Sequence, residues 1–600
     1  MAAAPVVYTV RAHNLHAHLF EVTLTLAQPA ALQRLSLPVW IAGSYLVREF
    51  SKHLQHLQAH QGTQSVKVTQ LDKCTWQVPC TPDKPLMLRY EVYAFDHSVR
   101  TAWLDTQRGF FNGTSLFLKV AGQEDAPHAL VLPKDKALAG WHIATGLTPH
   151  KITPDGFGSY LAANYDELVD SPVEMGRFWS ATFLAGGIEH RFVVAGAAPS
   201  FDGARLLADT QAICEAEINF WHGEHKKGRA ARKLPIKSYV FMLNVVDDGY
   251  GGLEHRNSTA LICTRKDLPR LAEPGTSTAD AKPRQTEGYT TLLGLISHEY
   301  FHTWNVKRLR PAEFTHLDTT QENYTRLLWF FEGFTSYYDD LLLRRANLID
   351  DTTYLKLLTK TINQVLQTPG RAVQSVAQAS FDAWVKYYRP DENTPNATVS
   401  YYTKGSLVAL CLDLTLRTEG KTTLDAVMRA LWMRCQGGPM TEADLANVLA
   451  ELSGRSYAKE LTRWVHGTAE LPLKLLLTAQ GVAVLEEPAQ LAQRLGLRVS
   501  ETAGVHIKVV LRDGAAEQAG FAAGDEWLGL EVGSGRTATQ WRLSKLDDLP
   551  LYAGTATKIG ALVARDKRLV KLALTLPKAI TTWHLVAKDK ARVSAWLSSP

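Results

Sequence analysis

Apolar and polar residues alternate along the first 170 residues, in runs that turn residues interrupt. Examples are YTVRAHNLHAHLFEVTLTL, LQRLSLPVWIAG, SVKVTQLDKCTWQVPC and LMLRYEVYAF. A period of two is typical of strands with one buried face, and several such strands in succession pack most readily as a sandwich. The run at residues 178–196 continues this pattern. We therefore expect a β-rich N-terminal sandwich domain over residues 1–170.

After Pro199 the apolar residues recur every three or four positions, as they do along amphipathic helices. The segments ARLLADTQAICEAEINFWHGEH and GYTTLLGLISHEYFHTWNVKRLRP both follow this spacing, and Pro311 closes the second one. Most of the chain from Tyr324 to about Ser453 has the same helical pattern. The pattern predicts an α+β domain over residues 171–484 with a mostly helical second half.

Two short apolar runs and one polar stretch interrupt this part of the chain. KSYVFMLNVV (residues 237–246) and STALICT (residues 258–264) predict two neighbouring strands. The stretch at residues 269–286 is rich in Pro, Thr, Ala and Gly, so it predicts a surface loop.

The last quarter of the chain changes character again. Residues 495–532 predict a strand, a turn, a short helix, a turn and a second strand. We expect a separate domain over residues 485–578, followed by a short basic tail at 579–600 with a helix near residues 586–597. A chain of 600 residues exceeds the size of a single hydrophobic core, so a multidomain protein is expected.

The composition of the chain limits the classes of protein to which it can belong. The hydrophobic fraction of 46% and the charged fraction of 21% are ordinary for a globular protein, and the net charge is +5. Basic residues are scattered, which argues against a nucleic-acid partner. The first 20 residues do not resemble a signal peptide, and no apolar stretch is long enough to span a bilayer. The six cysteines form no CxxC pair, so we expect reduced thiols and a cytoplasmic protein.

The segment HEYFH at residues 298–302 has the spacing of a zinc site. On a helix, His298 and His302 lie one turn apart on the same face, so both imidazoles can reach one cation. Glu299 then serves as the general base that activates a metal-bound water. The alternative is a chance match on a buried helix.

Glu332, in the segment LWFFEGFTSYYDD, is the candidate third ligand. A carboxylate flanked by aromatic residues is costly to bury unless it is paired or bound to a metal. The alternative is an acidic residue at the core edge that forms a salt bridge. Two His, one Glu and an open fourth position are typical of catalytic zinc, so we expect one Zn²⁺ per chain.

These motifs resemble those of the glycyl aminopeptidase family, zinc peptidases of gluzincin type that are distantly related to aminopeptidase N. SHEYFHTWNVKRLRP followed by FFEGFTSYY carries the resemblance most specifically. LPVWIAGSYLVREFSKHLQ is similar to the N-terminal signature of that family, and GAAEQAGFAAGDEWLGL is similar to a PDZ domain. The resemblance implies a β-rich N-terminal domain, a thermolysin-like catalytic domain and a C-terminal PDZ-like domain.

The same resemblance implies two further roles. GGLEH, residues 251–255, resembles the exopeptidase loop of the aminopeptidase N group, in which Gly251, Gly252 and Glu254 bind the substrate and the carboxylate holds its free α-ammonium. This chain has Gly252-Leu253 where those relatives carry Ala-Met, and His255 where they carry Asn. The alternative is a Gly-Gly turn with a surface Glu.

YYTKGSLVAL, residues 401–410, resembles the Tyr-x-Lys-Gly stretch of the same relatives. The resemblance implies that Tyr402 donates a hydrogen bond to the oxyanion of the transition state. The alternative is a Tyr packed at the start of a helix.

The sequence therefore predicts a metallo-aminopeptidase acting on peptides with a free N-terminus. The family implies that it removes small residues, with glycine and alanine preferred. The second interpretation is a thermolysin-like endopeptidase. The third interpretation is a PDZ-type protein whose metal site is vestigial. Such a protein would bind a peptide C-terminus at RLGLRV, residues 494–499.

Overall fold

The computed structural model describes residues 5–223, 234–271 and 285–598, so most of the loop predicted at 269–286 lies outside the described residues. The chain divides into two units. The first consists of Met1–Tyr324, Arg345–Leu348 and Arg429–Thr441, and the second of Thr325–Arg344, Ile349–Met428 and Glu442–Pro600. The domain boundaries that we derived from the sequence stay predictions.

The alternating pattern near the N-terminus forms an eight-stranded sheet. Val6, Tyr8 and Val10 are buried along the first strand, and the residues between them are half-buried. The strands of this sheet are, in spatial order, Thr148–Ile152, Gly158–Ala162, His128–Leu132, Val6–Asn14, Leu19–Leu26, Leu86–Tyr93, Leu54–Gln61 and Gln64–Val66.

Two four-stranded sheets and two short helices complete this β-rich region. One sheet has the order Lys119–Val120, Leu32–Ser36, Thr75–Pro79 and Thr69–Gln70, and the other His142–Thr145, Val173–Gly176, Arg108–Phe111 and Ala102–Leu104. The helices are Gly113–Leu116 and Tyr165–Val169. Side chains from all three sheets share one apolar core. The predicted β-rich N-terminal domain is confirmed.

A five-stranded sheet follows within the first unit. Its order is Trp179–Ala185, Ile188–Ala195, Ser238–Val246, Ser258–Thr264 and Gly251–Glu254. The two strands predicted at residues 237–246 and 258–264 pair in parallel, as neighbours. The strand that contains the GGLE residues lies at the edge of the sheet and runs antiparallel to its neighbour. The helices Gly203–His222 and Glu287–Phe301 belong to the same unit.

The helix that carries HEYFH is shorter than predicted. It ends at Phe301, whereas the sequence pattern predicted a helix that Pro311 closes. Arg310–Pro311 instead forms a short parallel pair with Pro439–Met440. The helix ends early because the backbone turns after His302, and Val306 adopts a positive φ of 134° that no helix allows.

Helices dominate residues 325–480, as predicted. They are Leu328–Phe331, Gly333–Arg345, Asp351–Leu366, Val376–Phe381, Thr394–Ala397, Thr403–Glu419, Leu424–Arg434, Glu442–Ser453, Ala458–Leu461 and Leu473–Ala479. The helical pattern around Glu332 forms two helices, with Glu332 between them. Among the helices of the described ranges, none is long and apolar enough to cross a membrane.

The C-terminal region contains a six-stranded sheet. The order is Leu497–Ser500, Val505–Val510, Glu526–Val532, Lys558–Arg565 and Arg568–Thr575, with Thr539–Arg542 also paired to Glu526–Val532. The accompanying helices are Leu491–Leu495, Ala515–Ala519 and Leu549–Ala553. The short helix and the strand after it were predicted for residues 495–532, but two strands precede that helix, Leu497–Ser500 and Val505–Val510, where the sequence predicted one. Leu497–Ser500 lies at the sheet edge.

The segment predicted as a tail is more structured than expected. Thr581–Ala587 forms a strand that pairs antiparallel with Val482–Pro488, and the predicted helix spans Lys590–Leu597. All six cysteines lie in the described ranges and carry free thiols, as their spacing predicted.

Candidate metal centre and active site

The helix Glu287–Phe301 positions both histidines of the HEYFH motif. Thr286 caps its start by accepting a hydrogen bond from the Tyr289 backbone N–H. His298 lies in the last turn, and His302 is the C-cap residue that follows Phe301. Their ring centroids lie 4.7 Å apart, with the rings nearly perpendicular at 86°. The helical spacing therefore brings the two imidazoles together, as the sequence predicted.

A backbone contact fixes the tautomer of His302. Its Nδ1 lies 2.7 Å from the backbone oxygen of Asn305. Because a carbonyl oxygen only accepts, Nδ1 carries a proton, so in the neutral imidazole Nε2 carries the lone pair. Metal-binding imidazoles are commonly oriented by such a hydrogen bond from the other ring nitrogen. His302 is thus in the form that a metal ion requires.

The turn after His302 is held in a strained conformation. Val306 has a φ of 134°, which is unfavourable for a β-branched residue. On one side, the Lys307 ammonium donates to Asp170 Oδ1 at 2.8 Å. On the other, the Arg308 guanidinium donates to the backbone oxygen of Thr303 at 2.7 Å, and to two further carbonyls. These tertiary contacts explain residues to which the sequence alone assigned no role.

Two carboxylates lie beside His302 within the first unit. Candidate ligand atoms of Glu254, Glu299 and His302 all lie within 4.8 Å of one another. Glu254 is only 4% exposed and Glu299 only 5%. Glu254 ends the edge strand Gly251–Glu254, so a buried strand end, and not a surface turn, presents its side chain.

Glycines allow the backbone to approach both carboxylates. A Cβ on Gly252 would overlap Oε1 of Glu299. A Cβ on Gly43 would lie 2.5 Å from both carboxylate oxygens of Glu254, and Gly43 also has a positive φ of 93°. Gly251 has a φ of 148°. The sequence predicted substrate-binding roles for Gly251 and Gly252. It gave no signal for Gly43, which lies 211 positions before Glu254 in the chain.

Glu332 lies in the second unit, directly after the helix Leu328–Phe331. Its side chain is 2% exposed, and the neighbouring Phe331 and Phe334 are fully buried. The local surroundings are thus as apolar as the sequence indicated, and they make an uncompensated carboxylate costly at this position.

Tyr402 also lies in the second unit, immediately before the helix Thr403–Glu419. Burial, the Glu332 carboxylate and neighbouring phenols raise the pKa of Tyr402 well above its usual value. The phenol therefore stays protonated at neutral pH and keeps a proton to donate. Its oxygen lies 3.5 Å from the hydroxyl of Tyr388, a neighbour that the sequence reading missed.

A close contact between two glycines fixes the helix that follows Tyr402. A Cβ on Gly333 would lie 2.6 Å from the Cα of Gly405, so any side chain there would separate the two backbones. These glycines belong to the FEGF and TKG segments. Close packing of two backbones thus accounts for the glycines beside Glu332 and Tyr402, Gly333 and Gly405.

Comparisons with known proteins identify the family of this chain. The profile of the Peptidase M61 N-terminal domain matches residues 7–177, and that of the M61 glycyl aminopeptidase matches residues 291–408. The crystal structure of an aminopeptidase N family protein from Idiomarina loihiensis is 35% identical in sequence. The alignment covers 99% of this chain and 100% of that chain, with a TM-score of 0.90. The chain belongs to the M61 glycyl aminopeptidase family. It is therefore a peptidase, and the assignment supports metallo-aminopeptidase activity.

Other solved structures are more remote from this M61 chain. An M1 zinc metallopeptidase from Deinococcus radiodurans shares 14% identity over 78% of this chain and 94% of that chain, with a TM-score of 0.46. A variant of that enzyme bound to a Tyr-Ser-Ala substrate shares 15% identity over the same fractions, with a TM-score of 0.44. A comparison with curated protein sequences finds no match.

His255, one of the positions at which this M61 chain differs from the aminopeptidase N pattern, has a structural partner. His255 is 1% exposed, and its Nδ1 lies 3.0 Å from Asp170 Oδ1. Burial alone would raise the pKa of Asp170, but Lys307, His255 and Arg256 together hold it well below its usual range. Asp170 therefore links the strand end at Glu254 to the turn after His302. It was missed because it lies 85 positions before His255.

Proposed function

We propose that this protein is a zinc-dependent aminopeptidase in which His298, His302 and Glu332 bind one Zn²⁺. The buried group of Glu254, Glu299 and His302 carries the proposal, because it places an amine-binding carboxylate and a general base next to a metal ligand. His298 and His302 are the two histidines of the HEYFH motif, and Glu332 is the third ligand that the sequence predicts. Two imidazoles and one carboxylate are donors that suit catalytic zinc.

In this proposal Glu299 is the general base. When bound, zinc would supply Lewis acidity that polarises the scissile carbonyl and lowers the pKa of a water molecule to about 7. Glu299 accepts the proton from that water and passes it to the leaving amine.

Tyr402 is the proposed donor to the oxyanion. A protonated phenol donates most effectively to a site where negative charge develops in the transition state. The raised pKa of Tyr402 keeps that proton in place throughout the neutral range. Tyr388 adjoins the Tyr402 hydroxyl and helps to orient it.

Glu254 is the proposed recognition group for the free α-ammonium of the substrate. A buried carboxylate can form a charge-assisted hydrogen bond with an ammonium, and that contact fixes which peptide bond reaches the metal. Gly43 and Gly252 keep side chains away from the two carboxylates. Small first residues, with glycine and alanine preferred, are the substrate class that the family implies.

Removing the charge of Glu254 should test the choice between aminopeptidase and endopeptidase. In Glu254→Gln, kcat/KM for a substrate with a free N-terminus should fall by about 10- to 150-fold, the usual value of a hydrogen bond to a charged group. The exposed Glu189 offers a matched control, since Glu189→Gln removes a charge away from the site. The wild-type protein should leave the N-acetylated form of the same peptide uncut. Equal hydrolysis of both forms would instead identify an endopeptidase.

We also propose that the C-terminal sheet binds the C-terminus of a peptide, as a PDZ domain does. The specific observation is that Leu497–Ser500 is an edge strand, which leaves one side open to strand addition. The helix Leu491–Leu495 and Gly496 precede that strand, at the position of the predicted carboxylate-binding loop.

In this binding mode the peptide must carry a free C-terminal carboxylate, and that requirement provides the test. A fluorescent peptide with an apolar C-terminal residue should bind the full-length protein, and its C-terminal amide should bind at least about tenfold more weakly. Glu299→Gln protein is the right sample, because it prevents cleavage during the titration. Equal binding of acid and amide would rule out the PDZ-like mode.

A further inference from the structure

One buried amide ties the six-stranded C-terminal sheet to the segment that precedes Tyr402. Asn396 lies in the one-turn helix Thr394–Ala397 and is 7% exposed. Its Nδ2 donates to the Val510 backbone oxygen at 2.9 Å, and its Oδ1 accepts from the Arg512 backbone N–H at 2.9 Å. The Asn396 side chain thus pairs with the backbone at the end of a C-terminal strand, as a neighbouring strand would.

The strand that receives this amide lies inside the C-terminal sheet. Val505–Val510 pairs on one side with Leu497–Ser500 and on the other with Glu526–Val532. The two partners of Asn396 lie 114 and 116 positions after it in the chain, so the link is a tertiary one. Because Asn396 is buried, water does not readily replace either hydrogen bond when the amide is removed.

The backbone between Asn396 and Tyr402 has little freedom of its own. The Thr398 backbone N–H donates to the Thr394 carbonyl at 2.9 Å, which continues the helical turn. A Cβ on Gly370 would overlap the Thr398 backbone, so the two backbones are in close contact. A displacement of the turn that carries Asn396 is therefore passed along the chain to Tyr402.

The proposed task of Tyr402 depends on accurate placement. A donor to an oxyanion must lie about 2.7–3.1 Å from the atom on which the charge develops, and a misplacement of about 1 Å can cost about 10²-fold in rate. The Tyr402 ring packs against Tyr387 and Tyr401, with centroids 5.4 and 4.8 Å away. The helix Thr394–Ala397 is too short to be stable by itself, so its position depends on contacts such as those of Asn396.

We propose that Asn396 is a positioning residue through which the C-terminal sheet holds Tyr402 in place for catalysis. The inference rests on the proposed role of Tyr402 as the oxyanion donor. It gives the C-terminal sheet a part in the peptidase reaction, separate from any peptide that binds at its edge strand. Asn396 acts through Tyr402 and does not touch the substrate, so its loss lowers kcat and leaves KM and the zinc content unchanged.

Asn396→Leu tests the proposal on the zinc-loaded full-length protein. Leucine has approximately the shape of asparagine but makes neither hydrogen bond. With glycyl-4-nitroanilide, kcat should fall at least about tenfold, because the Tyr402 hydroxyl is displaced, while KM changes by less than about twofold.

Asn363 provides a matched control, because its amide makes the same pair of hydrogen bonds with the backbone of Trp583 in another C-terminal strand. Asn363→Leu should lower Tm by a similar amount and leave kcat unchanged. An equal loss of kcat in Asn363→Leu and Asn396→Leu would contradict the proposal, since the effect would then follow stability and not the position of Tyr402.

A double variant separates positioning from a general structural effect. In a Tyr402→Phe protein, Asn396→Leu should have no further effect on kcat, because the donor that it positions is already absent. Losses that multiply in the double variant would overturn the proposal, as would wild-type kcat in a folded Asn396→Leu protein. Full turnover by Tyr402→Phe alone would overturn the proposed oxyanion donor as well.

A milder variant keeps the test decisive if Asn396→Leu does not fold. Asn396→Asp still accepts from the Arg512 backbone N–H, but it places a carboxylate oxygen against the Val510 carbonyl, where the amide donated. Its kcat should fall at least about threefold, the usual value of one hydrogen bond, with KM unchanged. Wild-type kcat in this variant would contradict the proposal.

Discussion

Glu299→Gln should lower kcat by roughly 10²–10⁴-fold while the protein keeps one zinc ion per chain, because general-base catalysis contributes about that factor. Glutamine has nearly the same shape as glutamate, so the packing against Gly252 is preserved. An amide cannot accept a proton from water at neutral pH, and only the proton-transfer step is lost. Turnover of an aminoacyl-4-nitroanilide, with zinc measured by mass spectrometry on the same sample, checks both statements.

Two outcomes would contradict this assignment. Full turnover by zinc-loaded Glu299→Gln would show that Glu299 is not the base, and loss of zinc would show that it contributes to binding the metal. Tyr402→Phe, prepared in parallel, should also keep its zinc and lose roughly 10²–10³-fold in kcat, because the proposed oxyanion donor is gone. A zinc-loaded wild-type protein without any turnover would favour the reading in which the protein only binds peptides.

The sequence was most informative where function depends on spacing within one element. Helix geometry determines which residues share a face, so HEYFH was enough to place His298 and His302 together. Alternation was similarly sufficient for the strands near the N-terminus. Each of these features is encoded within a few neighbouring positions, and no tertiary contact is needed to interpret it.

The sequence was least informative where distant segments meet. Gly43 packs against Glu254, and Asp170 contacts both His255 and Lys307, yet no local pattern connects these positions. The end of the metal helix was placed too late for the same reason. Pro311 was the local stop signal, but the strained turn at Val306 ends the helix ten residues earlier. Side-chain hydrogen bonds to distant residues hold that turn, from Lys307 to the Asp170 carboxylate and from Arg308 to the Pro235 carbonyl.

The contact between Gly43 and Glu254 joins the N-terminal region to the carboxylate that we propose to bind the substrate amine. Residues 40–45 line a cavity beside Glu254 and supply the backbone that meets its carboxylate. Both features belong to the segment LPVWIAGSYLVREFSKHLQ, which the sequence marked only by its resemblance to a family signature. The close approach to Glu254 gives that resemblance a physical basis.

Glu332→Gln should weaken zinc binding by more than the roughly 10- to 100-fold that is typical when a residue orienting a metal ligand is lost. The amide keeps the size of the side chain but removes the negative charge that a ligand to a divalent cation supplies. Glu332 is 2% exposed, so water cannot readily replace the lost donor. Competition with a fluorescent zinc chelator measures the dissociation constant, and kcat/KM at saturating zinc shows how far activity recovers.

The exposed Glu392 is a suitable control, because Glu392→Gln also removes one negative charge from a residue between Glu332 and Tyr402 in the sequence. Its zinc affinity should equal that of the wild type. If Glu332→Gln also kept wild-type affinity, Glu332 would be a buried structural acid, and the third ligand would have to be sought elsewhere. Glu254 or Glu299 would then be the first residues to examine, since both already group with His302. A weakened Glu332→Gln protein beside an unaffected control would instead support the two-His, one-Glu site typical of catalytic zinc.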